Sequence, residues 1–342
     1  MQANERTRRH LLKAAGAFGA INLVGLSSKT ATAQSGTFQQ KIGMNVANTH
    51  PIFLRTTEAA QKIEKETDGK VKIGVFPNSQ LGSDTDMLSQ VRSGGIDYLM
   101  APGVVLANLV PMASLNSVGF AFTDYPSVWK AMDGGVGAVI RGAIQKMNLV
   151  VLDKIWDNGF RQITSNKPIT TAKDLADMKI RVPVSPMLLS IFKSLGASPT
   201  PINFNELYSA LQTKIVEGQE NALPLIDTSK LYEVQKACAL TRHVWDGYWV
   251  LANKRGQDAM PAAFRDIVAK NMNEAAILQR ADNEKLEVSL RQGLAAKGMT
   301  FTTPPVAEFR KALSDAKFYA EWKGKFGDEA WNTLEASVGK LT

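Results

Sequence analysis

The 342-residue chain reads as an α/β protein of two lobes, each a mainly parallel sheet flanked by helices. Three features predict this. Strands and helices alternate from Lys41 to Met100, and a second alternating series begins at Leu149. A helical pattern without an internal proline then runs from Pro261 to Lys297. At roughly 150 residues per domain the length fits two domains.

Lys41–Val46 is expected as a first strand, and Thr49-His50-Pro51 opens a helix with proline at its first position. Phe53, Ala60 and Ile63 form the inner side of that helix, and Gly69 ends it. Val71–Val75 alternates as a strand. Ser83 or Asp84 caps the next helix, whose Met87, Leu88 and Val91 share a face and which Gly94-Gly95 stops. Ile96–Met100 completes a β-α-β-α-β series. In the second half Leu149–Trp156 reads as a buried strand that breaks into a turn, and Gln162–Ser165 as a short strand. Thr171 to Asp174 forms a capping box. Ile180–Val182 is a strand stopped by Pro183, and Ser185-Pro186 starts a helix closed by Gly196. Asn203 or Asn205 caps a helix expected to reach Gly218, and His243–Asn253 is a long strand. The Pro261–Lys297 pattern would span roughly 55 Å unbroken and act as a spine common to both lobes. A break near Asn271–Asn273 is the alternative. Short helices fill Val306–Leu341.

Composition narrows the function. The chain is 44% hydrophobic, enough for an ordinary core. A single cysteine, Cys238, excludes an internal disulfide framework and cysteine-cluster metal sites. No apolar run approaches about 18 residues, so no membrane-spanning helix is expected. The net charge is +8, but residues 1–33 hold five basic residues against one acid. The remainder is only mildly basic, with no Lys/Arg run interleaved with aromatics, so nucleic-acid binding is not expected. Residues 1–33 themselves read as a cleaved export signal: Arg8-Arg9 with Leu11, Leu12 and Lys13, the apolar stretch Ala14–Leu26, then Ala31-Thr32-Ala33. The arginine pair resembles the twin-arginine type. The mature protein is then expected in the periplasm, cut after Ala33.

The search for chemistry finds no catalytic constellation. After the signal only His50 and His243 remain, and there is no HExxH, CxxC or GxSxG motif. Gly134–Gly137 is glycine-rich but lies inside a helical pattern, the wrong place for a phosphate loop. No cofactor or metal is expected. Two arginines stand out. Arg161 follows the turn after the strong strand, and Arg181 is flanked by apolar residues on a short central strand. Arginine is rarely buried in such strands unless paired. Either it makes an internal salt bridge, or its planar fork holds a ligand carboxylate. Asn221 is a further polar residue at a strand end, where it could equally stabilise a turn.

At these residues the sequence resembles a family. Asn158-Gly159-Phe160-Arg161-Gln162-Ile163-Thr164-Ser165-Asn166, Lys179–Pro183, Gly196–Pro201, Glu206–Thr213 and Gly218–Asn221 look like signatures of TRAP (tripartite ATP-independent periplasmic) transporter substrate-binding proteins of the DctP type. Gly43-Met44-Asn45, Ser79–Gly82 and Tyr232–Lys236 add to it, in order and spacing, from about Lys41 to the carboxyl end. The resemblance implies the two-lobed periplasmic binding protein fold with a long helix shared by both lobes. Lobe I would be 34–158 plus 247–286, and lobe II 159–246 plus 287–342. It implies a monomeric binder, not an enzyme, that captures a small organic acid in the cleft and delivers it to a TRAP membrane permease. Arg181 would make the carboxylate salt bridge, Arg161 and Asn221 would hydrogen-bond the same group, and Asn45, Phe204 and Trp156 would line the cleft. Pro102 stands where sialic-acid binders of the family carry a glutamate, which disfavours that ligand. Aromatic walls from Trp156, Phe204, Tyr248 and Trp249 point to a monocarboxylate, although Tyr248 and Trp249 could equally be strand core residues. The competing readings are an exported enzyme acting on small carboxylates and a ligand-sensing partner of a membrane receptor.

Overall fold

The computed structural model describes residues 36–341. The expected export signal, with its arginine pair and cleavage site, lies outside the described residues. The first α/β series is β1 (Phe38–Gly43), α1 (Pro51–Glu66), β2 (Val71–Phe76), α2 (Asp84–Ser93) and β3 (Tyr98–Pro102), followed by the short α3 (Gly103–Leu106). Helices α4 (Tyr125–Met132) and α5 (Gly135–Gln145) lead to β4 (Leu149–Val151) and β5 (Trp156–Ser165). The second series is β6 (Lys179–Val182), α6 (Pro186–Ser194), β7 (Ser198–Pro201), α7 (Leu207–Gln212), β8 (Gly218–Ala222) and α8 (Leu223–Thr228). Next come β9 (Ala237–Asn253), α9 (Lys254–Ala259), α10 (Ala262–Ala296) and β10 (Thr300–Thr302). Helices α11 (Val306–Asp315), α12 (Phe318–Phe326) and α13 (Asp328–Val338) close the chain.

The strands join in one sheet ordered β2-β1-β3-β9-β5-β8-β6-β7, with β4 and β10 also pairing with β9. The α/β wings are parallel: β1 pairs with β2 and β3, and β6 with β7 and β8. The centre is antiparallel, where β9 pairs with β3 and β5, and β5 with β8. The long β9 stitches the two halves together. Its alternation separates two cores: Tyr248, Val250 and Ala252 enter the one beneath α1, and Trp245, Trp249 and Leu251 the one on the opposite face.

Local signals act as expected at most helix ends. His50 caps α1, its Nδ1 accepting from the Ile52 N–H at 3.1 Å; burial pushes its pKa down to about 3, so it stays neutral. Ser83 and Asp86 close a reciprocal capping box on α2, and Gly94 ends that helix in the left-handed conformation. Thr171 and Asp174 form the predicted box around a short 3-10 turn.

Several expectations are corrected. The strand expected from Leu149 to Trp156 is interrupted after Val151, and the turn expected at Asp157–Phe160 is the interior of the ten-residue β5. Asp157-Asn158-Gly159 has turn chemistry, but it forms a bulge against β9: Asp157 pairs with Gly247 and Gly159 with Asp246, leaving Asn158 over. Gly159 accommodates this with φ +109°, a backbone few other residues adopt. The helix expected to reach Gly218 ends at Gln212 because Lys214 turns left-handed, which leaves Ile215 63% exposed. Gly134 separates α4 from α5 instead of lying within a helix. β7 escapes prediction because two of its four residues are proline, tolerated on an edge strand that pairs only with β6.

Helix α10 is unbroken over 35 residues. Val268, Met272, Ala275 and Ala276 pack in the core beneath α1, while Leu294 packs with α7 and α8, so the helix is common to both halves. Among the described residues no helix is long and apolar enough to cross a membrane. Midway along α10 the Gln279 amide accepts from the Asp157 N–H and donates to the Asp157 carbonyl, both at 2.8 Å, and Asn283 donates to the same carbonyl at 2.9 Å. The helix thus supplies the ladder bonds that the bulge withholds from β5.

Two outcomes follow. Gln279→Ala leaves the buried Asp157 N–H without an acceptor and its carbonyl with Asn283 alone, and is expected to cost about 1–3 kcal/mol by urea denaturation. An unchanged midpoint would show that β5 keeps its bulge without the helix. The Asp157 carboxyl accepts from the Trp245 indole at 2.8 Å, yet burial raises its pKa from 3.8 to about 7. Between those values the folded protein keeps a proton that the unfolded chain releases, so this group's contribution falls as pH rises from about 4 to 7. The stability of wild type relative to Asp157→Asn is therefore expected to drop by about 3–4 kcal/mol across that window. A difference independent of pH would contradict it.

Candidate functional site

A cavity of about 10 Å³ opens where the strands of both halves end, lined by Asn45, Asp84, Arg161, Arg181, Phe204, Asn221 and Tyr248, with Pro102, Val104, Val105, Pro183 and Leu225. It lies outside the carboxyl ends of β1, β3, β6 and β8, the position that open α/β sheets reserve for ligands. Strand alternation explains how Arg181 arrives there. Ile180 and Val182 turn into the large core, so the residue between them on β6 faces the other way.

Five of the six residues singled out in the sequence, Arg181, Arg161, Asn221, Asn45 and Phe204, are brought to this cavity. Trp156 is not. It is fully buried in the core cluster with Leu225 and with Tyr248, its cross-strand partner on β9. Tyr248 lines the cavity, and Trp249, the next residue on β9, points into the opposite core.

The two arginines differ sharply. Arg161 donates from Nη2 to the Glu220 carboxylate at 2.8 Å and to its backbone carbonyl at 2.9 Å, from Nε to Glu220, and from Nη1 to Asp246 at 2.8 Å. All three side chains are buried, so this is the internal salt bridge that the sequence left open. Burial acts to lower the Arg161 pKa, but Glu220 and Asp246 hold it above its ordinary value. Burial alone would raise Glu220, yet the Arg161 charge keeps its pKa below the usual glutamate value. His243 is buried behind them with a lowered pKa, a neutral ring whose Nε2 lies 3.0 Å from Glu220 and whose Nδ1 lies 2.7 Å from the Thr241 hydroxyl. With Glu220 ionised, Nε2 carries the proton and Nδ1 accepts.

Arg181 has no carboxylate partner within salt-bridge distance among the described ion pairs. Its Nε donates to the Ile202 carbonyl at 2.9 Å, its guanidinium lies 5.9 Å from the Phe204 ring centre, and its Nη1 is buried without any acceptor. Burial pulls its pKa down to about 10, partly offset by Glu220 and Asp84. The Oδ1 of Asn221 is likewise buried and unpartnered. Asn45 accepts from the Tyr248 hydroxyl at 2.9 Å. An almost fully buried arginine carrying a free donor can receive a carboxylate with little reorganisation.

Sequence reading missed three acids. Glu220 and Asp246 sit on buried central strands, where charges occur only in pairs, so their company with Arg161 was a legible signal. In the sequence Asp84 competes with Ser83 as the cap of its helix. Ser83 and Asp86 fill that role, which leaves Asp84 buried at the cavity; burial raises its pKa, opposed by Asn45, Arg181 and the Phe204 N–H. Among the described residues no group of three or more His, Cys, Asp and Glu converges to hold a metal ion.

The contrast gives a stability test on the protein without added ligand. Glu220→Ala leaves Arg161 with Asp246 as its one buried counter-charge and its Nε without an acceptor, and is expected to cost about 2–4 kcal/mol in denaturant unfolding. Arg181→Leu removes a buried cation that lacks a partner, so it is expected to leave stability unchanged or higher. Equal losses in both variants would show that Arg181 is a structural charge.

Comparison with known proteins places these features in a family. The family model DctP, bacterial extracellular solute-binding protein, family 7, matches residues 42–322. The sialic acid-binding periplasmic protein SiaP of Vibrio cholerae is 30% identical over 317 residues, 92% of this chain and 98% of that protein. A TRAP periplasmic solute-binding protein of Polaromonas sp. JS666, solved with D-erythronate, superposes with TM-score 0.84 at 31% identity, covering 87% of this chain and 98% of that one. A second, from Sulfurospirillum deleyianum with bound succinate, has TM-score 0.83 at 29% identity, with 88% and 99% covered. These are solute-binding proteins, not enzymes. The chain belongs to the DctP family, family 7 of the bacterial extracellular solute-binding proteins, and has the two-lobed fold of TRAP solute-binding proteins.

Proposed function

We propose that the protein is the periplasmic solute-binding component of a TRAP transporter, exported by its twin-arginine-type signal, acting as a monomer and passing a small organic acid to a membrane permease. The observation that carries this reading is Arg181, buried to 1% exposure at the cavity with Nη1 unbonded. A ligand carboxylate would complete it through the two Nη groups, since Nε is already engaged with Ile202. Asn221 would bond the same carboxylate. Arg161 contributes its remaining Nη1 hydrogen and, chiefly, a fixed wall.

The cavity has room for about one water, so an acid enters only when the lobes part. The lobe boundaries proposed from the sequence, 158/159, 246/247 and 286/287, support a single hinge. Gly159 pairs with Asp246 and Asp157 with Gly247 at the bulge, and Asn283 of α10 grips the same strand. Closure about that line would bring Asn45 and Tyr248 onto a ligand held by Arg181.

The ligands named for the relatives include a hydroxylated monocarboxylate and a dicarboxylate, so likeness alone does not choose between them. Pro102 lines the cavity and offers no carboxylate, which weighs against a sialic acid.

Arg181→Ala is expected to weaken binding of the acid by about 30- to 1,000-fold. Titration calorimetry on residues 34–342 against a panel of small acids and their amides measures it. Equal affinity in wild type and variant, or equal binding of acids and amides, would overturn the carboxylate reading.

A further inference from the structure

We infer that Asp84 sets the charge of the ligand, so that the site takes a hydroxylated acid with one carboxylate and rejects dicarboxylates. This rests on the carboxylate reading above. Asp84 is 6% exposed and lines the same small cavity as Arg181. It is the first residue of α2 but does no capping, because Ser83 and Asp86 close the box between themselves. It takes part in none of the described ion pairs, and its neighbours are donors: the Asn45 amide, the Phe204 N–H and, at longer range, Arg181.

The charges at the cavity can be counted. Arg161 is flanked by two acids, Glu220 and Asp246, and burial pushes Asp246 toward its neutral form, so the cluster is close to balanced; Arg181 and Asp84 are the two charged groups at the cavity outside the described ion pairs. One ligand carboxylate supplies what Arg181 lacks. A carboxylate has about four acceptor sites, so Asp84, with the Asn45 amide and the Phe204 N–H beside it, keeps capacity for ligand hydroxyls. A second ligand carboxylate would share a dry cavity with Asp84, where like charges repel strongly unless one of the two takes up a proton. Tyr248 cannot relieve this: burial holds its pKa well above 10, and its hydroxyl is committed to Asn45.

The test is calorimetric titration of residues 34–342 with length-matched pairs of three to six carbons, each a hydroxylated monocarboxylate and the corresponding dicarboxylate, headed by D-erythronate and succinate. Wild type is expected to bind the preferred monocarboxylate about 100-fold or more tighter than its matched dicarboxylate. Asp84→Asn, nearly isosteric, is expected to narrow that gap to within about tenfold. A wild-type protein that binds a dicarboxylate as tightly as its match, with binding lost in Arg181→Ala, overturns the role of Asp84 and leaves the carboxylate site standing. A folded Asp84→Asn that keeps the full gap also overturns it. Failure of wild type to bind any acid, or binding indifferent to Arg181→Ala, overturns both readings. The wild-type comparison decides the matter even if the variant does not fold.

Discussion

One guanidinium organises the centre of the molecule. Arg161 on β5 is clasped by Glu220 on β8 and Asp246 on β9, so a buried ion cluster spans the three central antiparallel strands. Such clusters contribute little net stability when formed but are expensive to break. They therefore specify geometry more than they add free energy. Here the geometry specified is the wall of the cavity, and the backbone that Arg161 also grips at Glu220 carries Asn221 immediately beyond it.

Each nitrogen of Arg161 in that wall has an acceptor, and the neighbouring side chains lack theirs. Arg181 has a free Nη1, Asn221 a free Oδ1, and Asp84 no paired cation. A folding chain ordinarily removes such groups, because buried polar atoms without partners destabilise it. Arg181 Nη1 and Asn221 Oδ1 are two such atoms that meet at one cavity. The α10 spine supplies the compensating order. Gln279 and Asn283 hold the β5 bulge, and Arg280 is anchored to the Ile155 carbonyl at 2.8 Å and to Asp133.

Much of this was legible in the sequence. The order of the first five elements was legible, although β1 lies three residues before the expected Lys41–Val46; the absence of proline gave the long helix without deciding whether it breaks, and apolar neighbours gave the burial of Arg181. The bulge was not legible. Asp157-Asn158-Gly159 carries turn residues, and only the partner strand decides that they sit in a sheet. β7 was lost to its prolines, and the end of α7 to a left-handed Lys214 that no propensity marks. At the site, motif resemblance brought in Asn45 and Phe204, which pattern alone would have passed over. Trp156 shares the face of its cross-strand partner Tyr248, which does line the cavity, but is itself covered, a depth that residue type does not reveal. Asp84 was hidden by a plausible lesser role as a helix cap.

The most direct test is a crystal structure of the protein grown with the acid it binds. The carboxylate is expected to sit on the Nη groups of Arg181 at about 2.7–2.9 Å, with the Arg161–Glu220–Asp246 cluster unchanged behind it. A carboxylate held by Arg161 at the expense of Glu220, or a ligand that leaves Arg181 Nη1 still without an acceptor, would contradict it.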